Sequence, residues 1–434
     1  MEQTFNGHQM ENAGASNLPD TGSSLVGKLR DLDREIDLTL HVGKSPFAGI
    51  PESLIAPLLS LFHNRPMSIQ DISMEDWGSL FSCPQLHDIA AILYYKMKDL
   101  EDPFLPSESV VNSLRNSLLE NRAGIFYAKE QLGSLLQMFK KKGVHPVVIK
   151  GLSLSHTVYP HASLRPPGND IDLLVKPEEF LKAREILVSQ GYQTDSYRFE
   201  ILGDLQCEET FHPPKNSHNM RPVDLHWDLH VACGKRNSET SRGIFERSVS
   251  VKTADLVFQT MHPVDALVHS AVHLMRNHYR DMKLLWICDI GFLGNRISKE
   301  QSWRTVQERS KEWHALLAVQ YALKLAAVWT GLGLPEECAD FSSWPEPEQT
   351  ERRAIQNAEA KEDRPDLMLR LLLETAPSFS GKVRLMKNLV FPRKSYVCGL
   401  HPPRNRSFLP GAYLLYWQWW IKKLLRIFKG GHLV

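Results

Sequence analysis

Lys150-Gly-Leu-Ser-Leu-Ser155 and, a short loop later, Asn169-Asp-Ile-Asp-Leu-Leu-Val175 carry the reading of this chain. By pattern they form a strand (Pro146 to Lys150), a glycine turn, a short helix, a proline-rich loop and a second strand from Asp170 to Val175. Residues i and i+2 of a strand point to the same side, so Asp170 and Asp172 present two carboxylates together. Paired hard oxygens suit Mg²⁺, the usual partner of nucleotide phosphates. Gly151 lets backbone N–H groups approach an anion, and the following helix N-terminus attracts it, with Ser153 as a candidate hydroxyl partner. Lys150 and Arg165 are candidate phosphate cations, Arg165 through a bidentate fork.

Working outward, Pro177 opens a helix through Gln190 with Phe180, Ala183, Ile186 and Leu187 inward and Gly191 past its end. Tyr192 to Glu200 reads as a strand and Leu205 to Phe211 as its hairpin partner. Pro222 to His230 alternates strictly: Val223, Leu225, Trp227 and Leu229 on one face, Asp224, His226, Asp228 and His230 on the other. Asp224 is the candidate third carboxylate, with Asp228 as the fallback. His226 shares the face of Asp224, where it can orient that carboxylate, bond a phosphate or accept a proton.

The flanks read as helical. Before the segment, Leu54, Leu58 and Leu61 form a helical stripe, which Pro57 restricts to its later part. A second stripe holds Leu86, Ile89 and Leu93, Asp71 is a candidate cap, and Val110 to Lys142 reads as one long helix. From about Ser238 the chain reads as helical again, with helices at Pro263–His278, Met282–Asn295, Trp303–Lys311 and Trp313–Thr330. The divisions are a disordered tail (1–24), an N-terminal helical region (25–142), an α/β core (143–235), a C-terminal helical domain (236–374) and a basic tail (375–434).

Lys150, Gly151, Tyr159, Arg165, Asp170, Asp172, Gly191 and Tyr192, followed by Val223 to Trp227 and by His269, His273, Trp286 and Asp289, form an ordered set. In that set the chain resembles a bacterial group of DNA polymerase β-like nucleotidyltransferases over roughly residues 120 to 300. The resemblance implies an α+β fold: a small mixed sheet as nucleotidyltransferase core, flanked by N-terminal and C-terminal helical regions. It also implies two Mg²⁺ ions held by Asp170, Asp172 and Asp224, an NTP substrate and release of pyrophosphate. Its relatives show Gly-Ser or Gly-Gly where this chain has Gly151-Leu152-Ser153. The acceptor is open between a sugar phosphate, a peptide, a protein and an RNA end. Two other readings stand: a non-catalytic nucleotide-binding scaffold on the same fold, and a metal hydrolase built on His269, His273 and Asp289. For the two histidines, core or supporting roles are the commoner fate.

Composition excludes little: 42% apolar, 23% charged, net +1. The charge is uneven. Residues 375–434 hold eleven Lys or Arg and no Asp or Glu, leaving 40 basic against 50 acidic residues before them. Six scattered cysteines without a C-x-x-C pair fit a reducing cytoplasm. The polar N-terminus shows no signal peptide, and no apolar run is long enough to span a bilayer. Tyr413 to Lys429 reads as a basic amphipathic helix with Tyr413, Tyr416, Trp417 and Trp420 on its apolar face. Peripheral contact with the inner face of a membrane is one expectation for it. Docking on the protein's own core is the other, and a nucleic-acid surface ranks behind both.

Overall fold

The computed structural model describes residues 22–359, apart from 41–46, 48, 65–71, 84–85, 99, 101–104, 195–206, 216, 218, 230–237, 279–281, 301–302 and 335–340, together with isolated positions between 383 and 421. Five helices lead: α1 (Gly22–Leu40), α2 (Glu52–Phe62), α3 (Met74–Ser82), α4 (Ala90–Met97) and α5 (Glu108–Lys141). The α/β segment follows as β1 (Val147–Val148), α6 (Lys150–Thr157), β2 (Ile171–Leu174), α7 (Phe180–Ser189), β3 (Gln193–Thr194), β4 (Glu208–His212) and β5 (Val223–His226). Then come α8 (Ser238–Arg247), β6 (Val249–Lys252), β7 (Val257–Thr260), α9 (Pro263–Val272), α10 (Leu284–Glu300), α11 (Trp303–Glu312), α12 (Leu316–Thr330) and α13 (Gln349–Glu359).

The strands form one mixed seven-stranded sheet in the order β3-β4-β5-β2-β1-β7-β6. β2 runs parallel to β5 and β1 parallel to β7, while the other neighbours are antiparallel. With its flanking helices this is the α+β architecture expected. α5 and α7 cover one face: Ile125, Leu132, Leu135 and Phe139 of α5 and Phe180, Ala183 and Leu187 of α7 pack on Ile171, Leu173, Val223 and Leu225. Each such buried aliphatic side chain contributes about 1.5–3 kcal/mol. Strand alternation therefore turns Asp172, Asp224 and His226 to the opposite face.

That face looks toward a helical body assembled from both ends of the chain. Leu25, Leu29, Leu32 and Ile36 form the buried stripe of α1 and share one core with Leu54 and Leu58 of α2 and with Leu316, Leu323 and Trp329 of α12. Lys324 of α12 pairs with Glu35 of α1 at 2.8 Å, and His63 meets the carbonyl of Val328 at 2.8 Å. Described residues before the sheet and after it, from Leu25 to Ile355, thus share a common core.

Several local expectations change. The stretch after Ser238 is not all helical: β6 and β7 form a hairpin that extends the sheet beyond β1. Its Val249-Ser-Val-Lys and Val257-Phe-Gln-Thr runs have the period of two that a half-covered edge hairpin requires. α2 runs through Pro57 from Glu52. The carbonyl that Pro57 leaves without a donor belongs to Ser53, an exposed residue that water can serve. Ser73 caps α3, accepting from the N–H of Asp76 at 3.0 Å; Asp71 lies outside the described residues. Lys150 opens α6 and is not the end of β1. The 1–24 tail lies outside the described residues except for Gly22 to Ser24, which open α1, and His230 lies outside as well.

Most of 375–434 is also outside. Of the expected amphipathic helix, Tyr416 is buried, Trp417 donates to the carbonyl of Val390 at 2.7 Å, and Leu414, Leu415 and Ile421 are exposed. Among the described residues no helix is long and apolar enough to cross a membrane.

Candidate active site

The parallel pairing of β2 and β5 sets Asp172 beside Asp224 and Leu174 beside His226. Asp170 precedes β2 by one residue and shares the side of Asp172. Two neighbouring strands therefore gather three carboxylates on the face away from α5 and α7.

Asp172 is buried, and its Oδ1 accepts from Lys150 Nζ at 2.7 Å and from His226 Nε2 at 3.0 Å. Nδ1 of His226 faces Glu208 Oε2 at 3.0 Å, across the β4–β5 register. Glu208, His226, Asp172 and Lys150 thus form a row of alternating charge. Burial alone would raise the pKa of Asp172, but Lys150 and then His226 hold it well below the usual carboxylate range. Burial and Lys150 would lower that of His226, but its bonds to Asp172 and Glu208 raise it to about 9. With a carboxylate oxygen facing each ring nitrogen, the surroundings of His226 favour the doubly protonated ring.

The other two carboxylates stand differently. Burial, then the charges of Asp172 and Asp224, raise Asp170 to about 6. Burial also raises Asp224, against a hydrogen bond with Thr210, and its Oδ1 is buried with no partner among the described residues. Unsatisfied buried acceptors are rare and demand an explanation. A cluster of hard oxygens whose members raise one another's pKa, one of them orphaned, fits a divalent cation in its chemistry. The oxygens are grouped but not converged: among the described residues no three His, Cys, Asp or Glu side chains are gathered closely enough to hold a metal ion as they stand.

The strand-to-helix turn uses Lys150, not Gly151, in the left-handed region, at φ 54°. Such backbone outliers cost on the order of 1–3 kcal/mol and collect at functional sites. Gly151 makes room for the loop ahead of β2: a Cβ there would stand 3.0 Å from Arg165 Nη1 and from the carbonyl oxygen of Pro167. Ser153 is buried and donates to the carbonyl of Lys150 at 3.0 Å, so its hydroxyl is tied to its own helix.

Arg165 does not face the carboxylates. It is buried, with Nε and Nη2 on the two oxygens of Asp289 at 2.8 Å each. The hydroxyl of Tyr159 donates to Asp289 Oδ1 at 2.6 Å. This group fastens the loop before β2 to α10. With both Asp289 oxygens engaged, the His269–His273 pair lacks the carboxylate that the hydrolase reading needs. Burial, then the charge of Lys150, lowers His269 to about 3 and His273 well below its ordinary value. A small open recess adjoins them, lined also by Lys150, Glu208, His226 and Leu229. Asp228 lies past the end of β5, where it accepts from the Ser241 hydroxyl and from the N–H of Leu229.

A family model described as an uncharacterised nucleotidyltransferase matches residues 73–331. The chain belongs to that family. The matched span holds the whole sheet, every residue of the carboxylate cluster, and Tyr159, Arg165 and Asp289. No curated protein matches the chain. Glu208 is a member of the charged row that the sequence pattern does not point to. Its signal is the hairpin itself: once β4 is paired with β5, Glu208 falls opposite His226.

Proposed function

We propose that this protein is a Mg²⁺-dependent nucleotidyltransferase on a polymerase β-like core, moving a nucleoside monophosphate from an NTP to an acceptor oxygen. That oxygen forms the new bond to the α-phosphorus, the bond from the α-phosphorus to the bridging oxygen breaks, and pyrophosphate leaves with that oxygen. The observation that carries the reading is the in-register pair Asp172 and Asp224 beside Asp170, with Asp224 Oδ1 buried and unpaired among the described residues, inside the family match.

Asp170, Asp172 and Asp224 would hold the ions. Bound divalent ions would supply charge neutralisation of the attacking and leaving oxygens in an in-line displacement. The chain's own residues do the rest. Lys150 keeps its charge, because Asp172 and Glu208 outweigh its burial. His226, fixed by Glu208, holds Asp172 in one orientation.

Labelled NTPs with Mg²⁺ and candidate acceptors test the proposal beside an Asp170→Asn/Asp172→Asn variant. Label transfer by the wild type alone is expected, and equal transfer by both would sink the assignment. The second reading, nucleotide binding without turnover, draws support from the engagement of Asp172 Oδ1 by Lys150 and His226. Tight calorimetric binding of Mg²⁺–NTP without pyrophosphate release would favour it.

A cytoplasmic enzyme with a peripheral membrane contact through 413–429 is part of the same proposal; Leu414, Leu415 and Ile421 are exposed there, while Tyr416 of the expected apolar face is buried. Identical sedimentation with anionic liposomes, with and without 410–434, would remove that contact.

A further inference from the structure

Arg221 lies just before β5, and its place is fixed from two directions. Its backbone N–H donates to Gln131 Oε1 at 2.8 Å, and its carbonyl accepts from Gln131 Nε2 at 2.8 Å, so one amide of α5 clamps the residue. Its Nε donates at 2.9 Å to the carbonyl of Gly168, in the loop that leads into Asp170. The outer edge of the guanidinium, Nη1 and Nη2, has no acceptor among the described residues. Asp170 acts on it electrostatically, yet no ion pair joins the two.

Gly124 gives the same fork its space. Glycine is disfavoured inside helices, and this one sits within the 34-residue α5. A Cβ at 124 would stand 3.2 Å from Arg221 Nη2 and 3.1 Å from Cγ of Pro167. The other two basic side chains nearby are engaged, Lys150 with Asp172 and Arg165 with Asp289.

We propose that Arg221 is the cation that seats the polyphosphate of the incoming nucleotide, its free guanidinium edge forking onto non-bridging phosphate oxygens beside the carboxylate cluster. A planar fork held at Nε and open at both Nη atoms is preorganised for phosphate, which a lysine's point charge is not. The inference rests on the nucleotidyltransferase reading and adds the residue that distinguishes a nucleoside triphosphate from a monophosphate.

The test is calorimetric binding of Mg²⁺–ATP, Mg²⁺–tripolyphosphate and AMP to wild type, Arg221→Ala, Arg221→Lys and Gly124→Ala, with a melting curve for each. Arg221→Ala should weaken both polyphosphate ligands about 10- to 100-fold, as loss of charge-assisted hydrogen bonds does, and change AMP less than about twofold. Arg221→Lys should recover little of the loss. Gly124→Ala, crowding the fork, should weaken the polyphosphates severalfold with AMP unchanged. It carries the test should Arg221→Ala fail to fold. Equal polyphosphate affinity in wild type and variants overturns the inference, and so does an equal loss for AMP, which would mark a structural role. Absence of any nucleotide binding by the wild type would instead refute the functional reading on which it rests.

Discussion

Asp289→Asn is the substitution whose outcome the structure constrains most tightly. Its two oxygens take Nε and Nη2 of Arg165 at 2.8 Å and the Tyr159 hydroxyl at 2.6 Å. The pair's side chains are only 6% and 4% exposed, so solvent cannot take over. Removing one partner of a buried pair leaves an uncompensated charge and costs about 3–5 kcal/mol. At roughly 2 °C per kcal/mol for a unit of ~250 residues, that lowers Tm by about 6–10 °C. The double variant Arg165→Met/Asp289→Leu, which removes both charges and keeps apolar volume, should recover at least half of the loss, because the penalty lies in the orphaned cation. Thermal melts of wild type, Arg165→Met, Asp289→Leu and the double close the cycle, with Asp289→Asn measured beside them. The double variant should also bind Mg²⁺–NTP within about threefold of wild type, since Asp289 already engages Nε and Nη2 of Arg165. A melting point for Asp289→Asn within about 2 °C of wild type would refute the energetic argument, and loss of nucleotide affinity in a well-folded double variant would return Arg165 to the phosphates.

Other outcomes follow from the site and the packing. A carboxyl raised to about 6 must lose its proton before it can bind a cation, so Mn²⁺ affinity should rise with pH up to about 6 and flatten above it; a flat profile from pH 5 to 7 contradicts the assignment of Asp170. The raised pKa also means that Asp170 contributes stability that is lost as pH climbs from about 4 through 6, while the lowered His269 and His273 act in the opposite direction, so the Asp170 contribution is read as the difference between the melting profiles of wild type and Asp170→Asn without metal. His226 should remain doubly protonated at pH 7.5 and titrate near 9 by ¹⁵N NMR, moving lower in Glu208→Gln; its stabilising contribution, complete below the ordinary histidine pKa, is lost as pH rises through 9. Gly291→Ala should destabilise by about 1–3 kcal/mol, because a Cβ on this residue of α10 would stand 3.0 Å from Cβ of Thr330 on α12; Gly291→Ala/Thr330→Ala should recover part of it in urea melts.

The sequence made legible whatever depends on neighbours along the chain. Period-two patterns at Asp170–Val175 and Pro222–His230 located β2 and β5 and put Asp172, Asp224 and His226 on one face, since a strand's pleat fixes sides without reference to the rest of the fold. The 3.6-residue stripe of α5 ended within a residue of its observed end. What stayed hidden is pairing across long separations. Arg165 looked like a phosphate ligand because nothing local shows that Asp289, 124 positions away, closes on it. Ser153 looked available because its bond to the carbonyl of Lys150 needs the helix to be built first. The β6–β7 hairpin was missed because its short strands lie between strongly helical stretches.

The shared core of the two helical ends has a consequence for synthesis. The stripe of Leu25, Leu29, Leu32 and Ile36 finds much of its partner surface on α12, which ends at Thr330. At ~5–20 residues per second, a ribosome needs on the order of 15–60 s after finishing α1 before that surface exists. Throughout that interval an amphipathic helix waits with its apolar side uncovered while the sheet assembles behind it. Helix α1 is thus made long before part of the surface on which it docks.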